Sequence, residues 1–233
     1  MVVVAGLILG CEPTDGGRDT SDPSSSGSPA AGGGWQTIFD GTSTEALRGY
    51  GGTAFPASWT VEDGALRTVP GAPVDLVTND SFGDFELEFS WRVAVGGNSG
   101  VIYRVLESDQ PAWTSGPEYQ LLDDLRHRDG QDPRTSAAAL YALIAPGDGK
   151  RLEPVGSWNE GRVVVRDGRV EHWLNGTLVV EYEWGSTQIR QLIAESKFRD
   201  LPGFMSQREG NVVLQHHGEV AWFRDVRIRR LGP

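Results

Sequence analysis

The chain is short of cysteine, of basic charge and of helical patterning, and each shortage removes a class of protein. Only one of its 233 residues is a cysteine, Cys11, so no internal disulfide can form and the fold must hold by its core. Lys and Arg total 21 against 32 Asp and Glu, a net charge of −11, with no basic stripe and no Lys-rich arm. A nucleic-acid backbone is therefore not an expected partner. The one conspicuous apolar run, Val2 to Leu9, is too short to cross a bilayer as a permanent helix. No internal repeat is visible.

What is present begins at that apolar run. It leads into Ile8-Leu9-Gly10-Cys11, small residues before a cysteine, which resembles the lipobox at which bacterial lipoproteins are cut and acylated. No Lys or Arg precedes the run, a departure from the usual signal peptide. Residues 12 to 34 are rich in Gly, Ser, Pro and Asp and hold no aromatic residue. Such a segment buries too little surface to offset its ordering entropy and reads as a flexible tether. The order of parts predicts a signal peptide over 1–11, a tether over 12–34 and a domain over 35–233. It places the chain in the cell envelope, exported, with its only membrane contact a lipid on Cys11.

From Trp35 onward strand patterns dominate. Phe85, Leu87, Phe89, Trp91 and Val93 alternate with Glu86, Glu88, Ser90 and Arg92, a half-buried strand. Arg162–Arg166 and Val170–Leu174 flank Asp167-Gly168, and Leu178–Tyr182 follows Asn175-Gly176, so two hairpins with two-residue turns are expected. Val212–His217 and Val220–Ile228 form two more strands about a Gly218-Glu219 turn, and Gln188–Ser196 has room for one short helical turn. Closely spaced short strands with 31 glycines and 13 prolines predict an all-β, antiparallel sandwich. Trp91, Trp173 and Trp222 are expected in its core; Trp113 and Trp158, in Gly-, Pro- and Ser-rich loops, are better placed to stack on a sugar ring.

Several stretches carry a family resemblance in order along the domain. They are Phe39-Asp40-Gly41, Trp59–Gly64, Phe82–Leu87, Asn98–Arg104, Gly116–Asp123, Leu140-Tyr141 and Ala145-Pro146. Trp158-Asn159, His172–Gly176, Ser196-Lys197-Phe198, Leu214–Gly218 and Phe223–Val226 complete the set. Together they resemble the 3-keto-disaccharide hydrolases, a family with a concanavalin A-like lectin/glucanase jelly-roll sandwich. One departure stands out: the family commonly has an acidic residue before the histidine of its last motif, and here that position is His216, with His217 in the histidine's place.

The resemblance implies an enzyme cleaving 3-keto-glycosides. A ketone at C3 acidifies the C2 proton; its removal gives an enolate that expels the C1 substituent, and water then adds back. The site needs a base, an acid and positive charge or donors at the enolate oxygen, not the paired carboxylates of an ordinary glycosidase. The Glu-x-Asp-x-x-Glu signature of conventional glucanases is indeed missing. Glu118 and Gln120 share strand parity, as do Gln215 and His217, and Asn98 and Arg104. Glu118 and His217 are the expected proton-transfer pair, with base and acid not distinguished. Arg104 and Lys197 are expected to stabilise the enolate or bind hydroxyls. Asn98, Gln120, Gln215 and Trp158 are expected to bind substrate, with Asp123 and His127 bordering the site. No cofactor is certain, and a divalent metal could replace the cationic side chains in polarising the ketone; its candidate ligands are Asp123, His127, His216 and His217, whose spacing matches no tight signature such as HExxH. The alternative function is a non-catalytic carbohydrate-binding module on the same fold.

Overall fold

The computed structural model describes residues 1–3 and 33–232, so most of the expected signal peptide, Cys11 and most of the tether lie outside the described residues. In chain order the strands are β1 (Gln36–Phe39), β2 (Leu47–Gly49), β3 (Trp59–Glu62), β4 (Ala65–Thr68), β5 (Leu76–Phe82), β6 (Phe85–Val93) and β7 (Asn98–Val105). They continue with β8 (Glu118–Leu122), β9 (Asn159–Arg166), β10 (Arg169–Leu174), β11 (Thr177–Glu183), β12 (Gly210–Leu214) and β13 (Ala221–Arg230); one helix, α1 (Thr187–Ala194), follows β11. Two antiparallel sheets result. The larger runs β11-β10-β9-β6-β13-β4-β3, with β1 also paired to β13, and the smaller runs β2-β5-β12-β7-β8.

The expected antiparallel sandwich is therefore observed, and the alternation that predicted it is what builds the core. Phe85, Leu87, Phe89, Trp91 and Val93 are each at most 3% exposed and belong to one cluster with Val101, Tyr103, Tyr119, Leu121 and Leu214 of the facing sheet. Each such side chain contributes roughly 1.5–3 kcal/mol on burial. Both hairpin turns form as read: Asp167-Gly168 and Asn175-Gly176 have positive φ at both residues, the geometry that matches strand twist. The helix is longer than the single turn expected, because the Ser186 hydroxyl accepts from the Ile189 N–H and caps it.

Two readings are corrected. Strands β12 and β13 do not pair with each other; the chain crosses between sheets at residues 215–220, carrying the histidine pair with it. Trp173 and Trp222 lie on the outer face of the larger sheet, each beneath a guanidinium, Arg162 at 4.1 Å and Arg92 at 4.5 Å. In β10 it is His172 and Leu174 that point inward. His172 is buried and accepts at Nε2 from the Tyr103 hydroxyl (2.8 Å) while Nδ1 donates to the Ala138 carbonyl (3.2 Å), and Tyr103 also meets the Tyr182 hydroxyl at 2.9 Å. Burial holds the imidazole down at about 4. This network ties residues 137–144 to the sandwich, and that segment covers the free edge of β8: the Ala138 N–H donates to Gln120 O, and the Tyr141 N–H to Glu118 O.

Candidate active site

The outer face of the smaller sheet carries a cavity of about 510 Å³, and strand register explains its lining. Leu214 pairs with Val101 and with Leu76, Gly100 with Gln120, and Gly49 with Leu76. One residue further along, Tyr50 N–H donates to Asp75 O and Gln215 N–H to Gly100 O. Tyr50, Asp75, Gln215, Gly100 and Gln120 thus form one row across all five strands. All point away from the core, because Leu76, Leu214, Val101, Tyr119 and Leu121 point into it. Gly100 leaves the floor open: a Cβ there would collide with the Glu118 carboxyl, which lies over the glycine.

The next row is apolar. Val77, Val213 and Ile102 sit side by side and pack with Val105 and Ala112 under the loop after β7, and Glu118, paired to Ile102, closes the row. A carboxyl beside this patch loses its hydration. Glu118 is 7% exposed, and among the described residues no hydrogen bond reaches its carboxyl. Burial pushes it up to about 8, opposed by the Lys197 charge and assisted by Asp75 and Asp129. At neutral pH it is chiefly protonated. Lys197, on the loop after α1, reaches over the Tyr141 ring with Nζ 4.2 Å from its centroid and also faces Trp113 at 5.5 Å. The residue is exposed along its stem, while shelter of the ammonium end lowers its pKa against the pull of Glu118 and Asp129. It forms no direct ion pair among the described residues, so its N–H groups are available to a ligand.

Beyond Gln215 the register brings His217 beside Asn98. Among the described residues, the Asn98 and Gln215 amides make no side-chain hydrogen bond, and their buried Oδ1 and Oε1 atoms are unpartnered. Such atoms cost about 1–3 kcal/mol each until a ligand donates to them. His217 is exposed at the rim, and its Nδ1 lies 2.7 Å from Glu219 Oε2. In the neutral ring that contact fixes the proton on Nδ1 and leaves the Nε2 lone pair free. His127 is at the same rim, its ring 6.2 Å from that of His217 and edge-on to it.

The expected metal ligands do not converge. Asp123 uses one oxygen for Gly96 N–H and the other for Leu125 N–H. His216 donates to Val69 O and accepts from Gly218 N–H, which occupies both nitrogens. His127 Nδ1 already accepts from Asp129 N–H, so its Nε2 holds the neutral ring's proton. His217 is left alone, and among the described residues no group of three or more His, Cys, Asp or Glu side chains is arranged as a metal site. This donor set does not fit a metal centre.

Three further expectations are corrected. Arg104 is not in the cavity: Asn211 pairs with Val105 but Val213 with Ile102, so β7 has one extra residue, and Arg104 takes φ 51° there. The bulge reverses parity, and Arg104 instead binds Gly83 O and Asp84 beneath Trp184. Asp123 buttresses the 96–97 turn outside the cavity. Trp158 stacks with Arg92 and Arg224 on the opposite sheet. Glu118, Lys197, Asn98, Gln120, Gln215, His216 and His217 do line the cavity, together with Trp113. Asp75, Tyr50 and Tyr141 were missed as site residues; only their places in register with Gln215 and Glu118 reveal them.

Comparisons with known proteins bear on the family and the fold. A family model described as a 3-keto-alpha-glucoside-1,2-lyase-like domain matches residues 34–229. A 3-keto-disaccharide hydrolase of Bacteroides thetaiotaomicron is 34% identical over 229 residues, covering 85% of this chain and 79% of its own. A candidate glycosyl hydrolase of Parabacteroides distasonis has a crystal structure that superposes with TM-score 0.79 at 29% identity, covering 85% of this chain and 94% of the other. A second from that organism superposes with TM-score 0.66 at 25% identity, covering 85% and 100%.

Proposed function

The chain belongs to the 3-keto-alpha-glucoside-1,2-lyase-like family, and from that membership we propose that it hydrolyses 3-keto-disaccharides by elimination and readdition of water. His217 Nε2 takes the C2 proton, and the C–H electrons form an enolate whose oxygen faces the Lys197 ammonium. The enolate collapses, the C1–O bond breaks, and protonated Glu118 gives its proton to the departing oxygen. Water adds to C1 of the resulting enone as the Glu118 carboxylate takes a proton from it, and the His217 imidazolium returns a proton to C2. Both residues end as they began. Asn98 Oδ1 accepts from a ring hydroxyl; the ketone, an acceptor only, is directed to Lys197.

One observation carries this reading: a carboxyl held protonated by an apolar row lies in the same cavity as a carboxylate-oriented imidazole and an ammonium that has no ion-pair partner among the described residues. The test is turnover of a 3-keto-disaccharide and of the unoxidised sugar in D₂O. Cleavage of the keto form alone, with deuterium at C2 of the product, supports it. Cleavage without deuterium at C2, together with no slowing of a substrate deuterated at C2, refutes the elimination route, and binding without turnover makes the chain a carbohydrate-binding module.

The N-terminus adds a second proposal: Cys11 is acylated and residues 12–34 tether the enzyme outside the cytoplasm. Incorporation of labelled palmitate that is lost in Cys11→Ser supports this; equal labelling of both overturns it.

A further inference from the structure

The register row extends well past the reacting half of the cavity. We propose that Asp75 and the Gln215 amide oxygen form a subsite for two adjacent hydroxyls of the departing sugar. The inference rests on the hydrolase reading above and adds to it the part of the substrate that leaves.

Asp75 is the residue before β5, and the His216 N–H donates to its Oδ1 at 2.7 Å, fixing the carboxylate. Among the described residues the second oxygen accepts no side-chain or backbone hydrogen bond. Gln215 stands next to it in the row, with Oε1 buried and unpartnered. Two adjacent acceptors without donors match a vicinal diol, which presents two O–H groups side by side; a ketone or an ether oxygen would leave both unsatisfied. The Tyr50 hydroxyl is already committed, donating to Gln110 O and accepting from Ser108 N–H, so its ring serves as an apolar wall with Pro73 and Val74. From the Asp75 strand to the Gly100 strand is two strand spacings, about 10 Å. That span accommodates two sugar rings end to end, with the departing ring beside Asp75 and Gln215 and the linking oxygen near the Glu118 carboxyl over Gly100.

The experiment uses the full chain and two 3-keto-glycosides with the same oxidised ring, one with a sugar leaving group and one with a phenol, which has no hydroxyls to offer. Asp75→Asn keeps an acceptor for His216 N–H but presents an amide N–H₂ in place of the second oxygen. The ratio of kcat/KM for the disaccharide over the phenyl glycoside is expected to fall about 10- to 100-fold, the scale for losing hydrogen bonds to a charged acceptor. A phenol needs less acid assistance from Glu118 than a sugar does, so the deciding ratio is also taken over a cyclohexyl 3-keto-glycoside, whose alcohol leaving group has no further hydroxyl and shares any effect of the lost charge on Glu118. An unchanged ratio overturns the proposal. If the wild-type chain cleaves neither keto substrate, the hydrolase reading has failed separately. The subsite is then judged by saturation-transfer NMR with an unoxidised disaccharide: contact in the wild type and none in Asp75→Asn supports it, and equal contact in both overturns it.

Discussion

Replacing Glu118 with Gln removes one titrating group from the cavity without changing its shape, and the pH dependence of stability should register the loss. The carboxyl's ordinary value of 4.5 is raised to about 8 by burial beside Ile102, Val213 and Val77. A raised value means that the folded chain keeps a proton that the unfolded chain has already released. The stability associated with this group is therefore complete below pH about 4.5 and is lost as pH rises through about 8. At about 1.4 kcal/mol per pH unit, the interval corresponds to up to about 5 kcal/mol. Gln does not titrate, so Glu118→Gln should match the wild type near pH 4.5 and gain on it steadily up to pH about 8. Urea unfolding at fixed ionic strength across that range measures the difference. Stability curves that stay parallel within about 0.5 kcal/mol, the spread of an ordinary surface change, would refute the claim that Glu118 is protonated at neutral pH. The same variant should lose about 10²- to 10⁴-fold in turnover if the proton is the one given to the leaving oxygen.

Other expectations follow from the same contacts. Because burial depresses His172 to about 4, the wild type should lose up to about 3 kcal/mol as pH falls from about 6.5 to about 4; His172→Gln should be less stable at neutral pH but should flatten that acid limb in a thermal melt. Gly100→Ala should fold normally yet lose at least about 100-fold in kcat, since the added methyl displaces the Glu118 carboxyl and a shift of about 1 Å can cost that much. Arg104→Met should lower unfolding stability by about 3 kcal/mol by stranding Asp84, with kcat/KM of the folded enzyme within about twofold of wild type. A larger catalytic loss in Arg104→Met would return Arg104 to the active site.

How far the sequence could be read depends on which physical signal each residue leaves. Period-two alternation is a local signal, and it located β6, both hairpins and the outward parity of Glu118, Gln120, Gln215 and His217 without any knowledge of the sheets. A bulge has no such signature. Nothing in Ile102-Tyr103-Arg104-Val105 announces that β7 gains a residue, so parity carried past it put Arg104 on the wrong face. The tryptophans failed for another reason: hydrophobicity alone sends an indole inward, whereas stacked guanidiniums keep Trp173 and Trp222 on a polar surface. Asp75 was invisible because its role comes from strand neighbours about 25 and 140 residues away, and Ala72-Pro73-Val74-Asp75 reads as an ordinary loop entering a strand. Parity separated the histidine pair, His216 packing its ring on Trp59 at the cavity's edge and His217 exposed at its rim, although the sequence did not say which imidazole kept a free nitrogen.

The catalytic role proposed for the cavity rests on two adjacent rows rather than on any single residue. A polar row alone would leave Glu118 hydrated and ionised, like most carboxylates at neutral pH. An apolar row alone would offer a sugar no hydrogen bonds. Because a strand advances two residues between outward positions, the polar row of Gln215 and Gln120 and the apolar row of Val213 and Ile102 are about 7 Å apart. Glu118 spans that step: its backbone belongs to the dry row, and its carboxyl reaches over Gly100 into the wet one. Desolvation therefore acts on the proposed proton donor, while the neighbouring Gln215 and Asn98 amides keep acceptor oxygens without partners among the described residues. The inner faces of both sheets are given over to the core, so this outer face can carry unpartnered amides and an uncharged carboxylic acid, each a destabilising feature, on a scaffold stabilised from the other side.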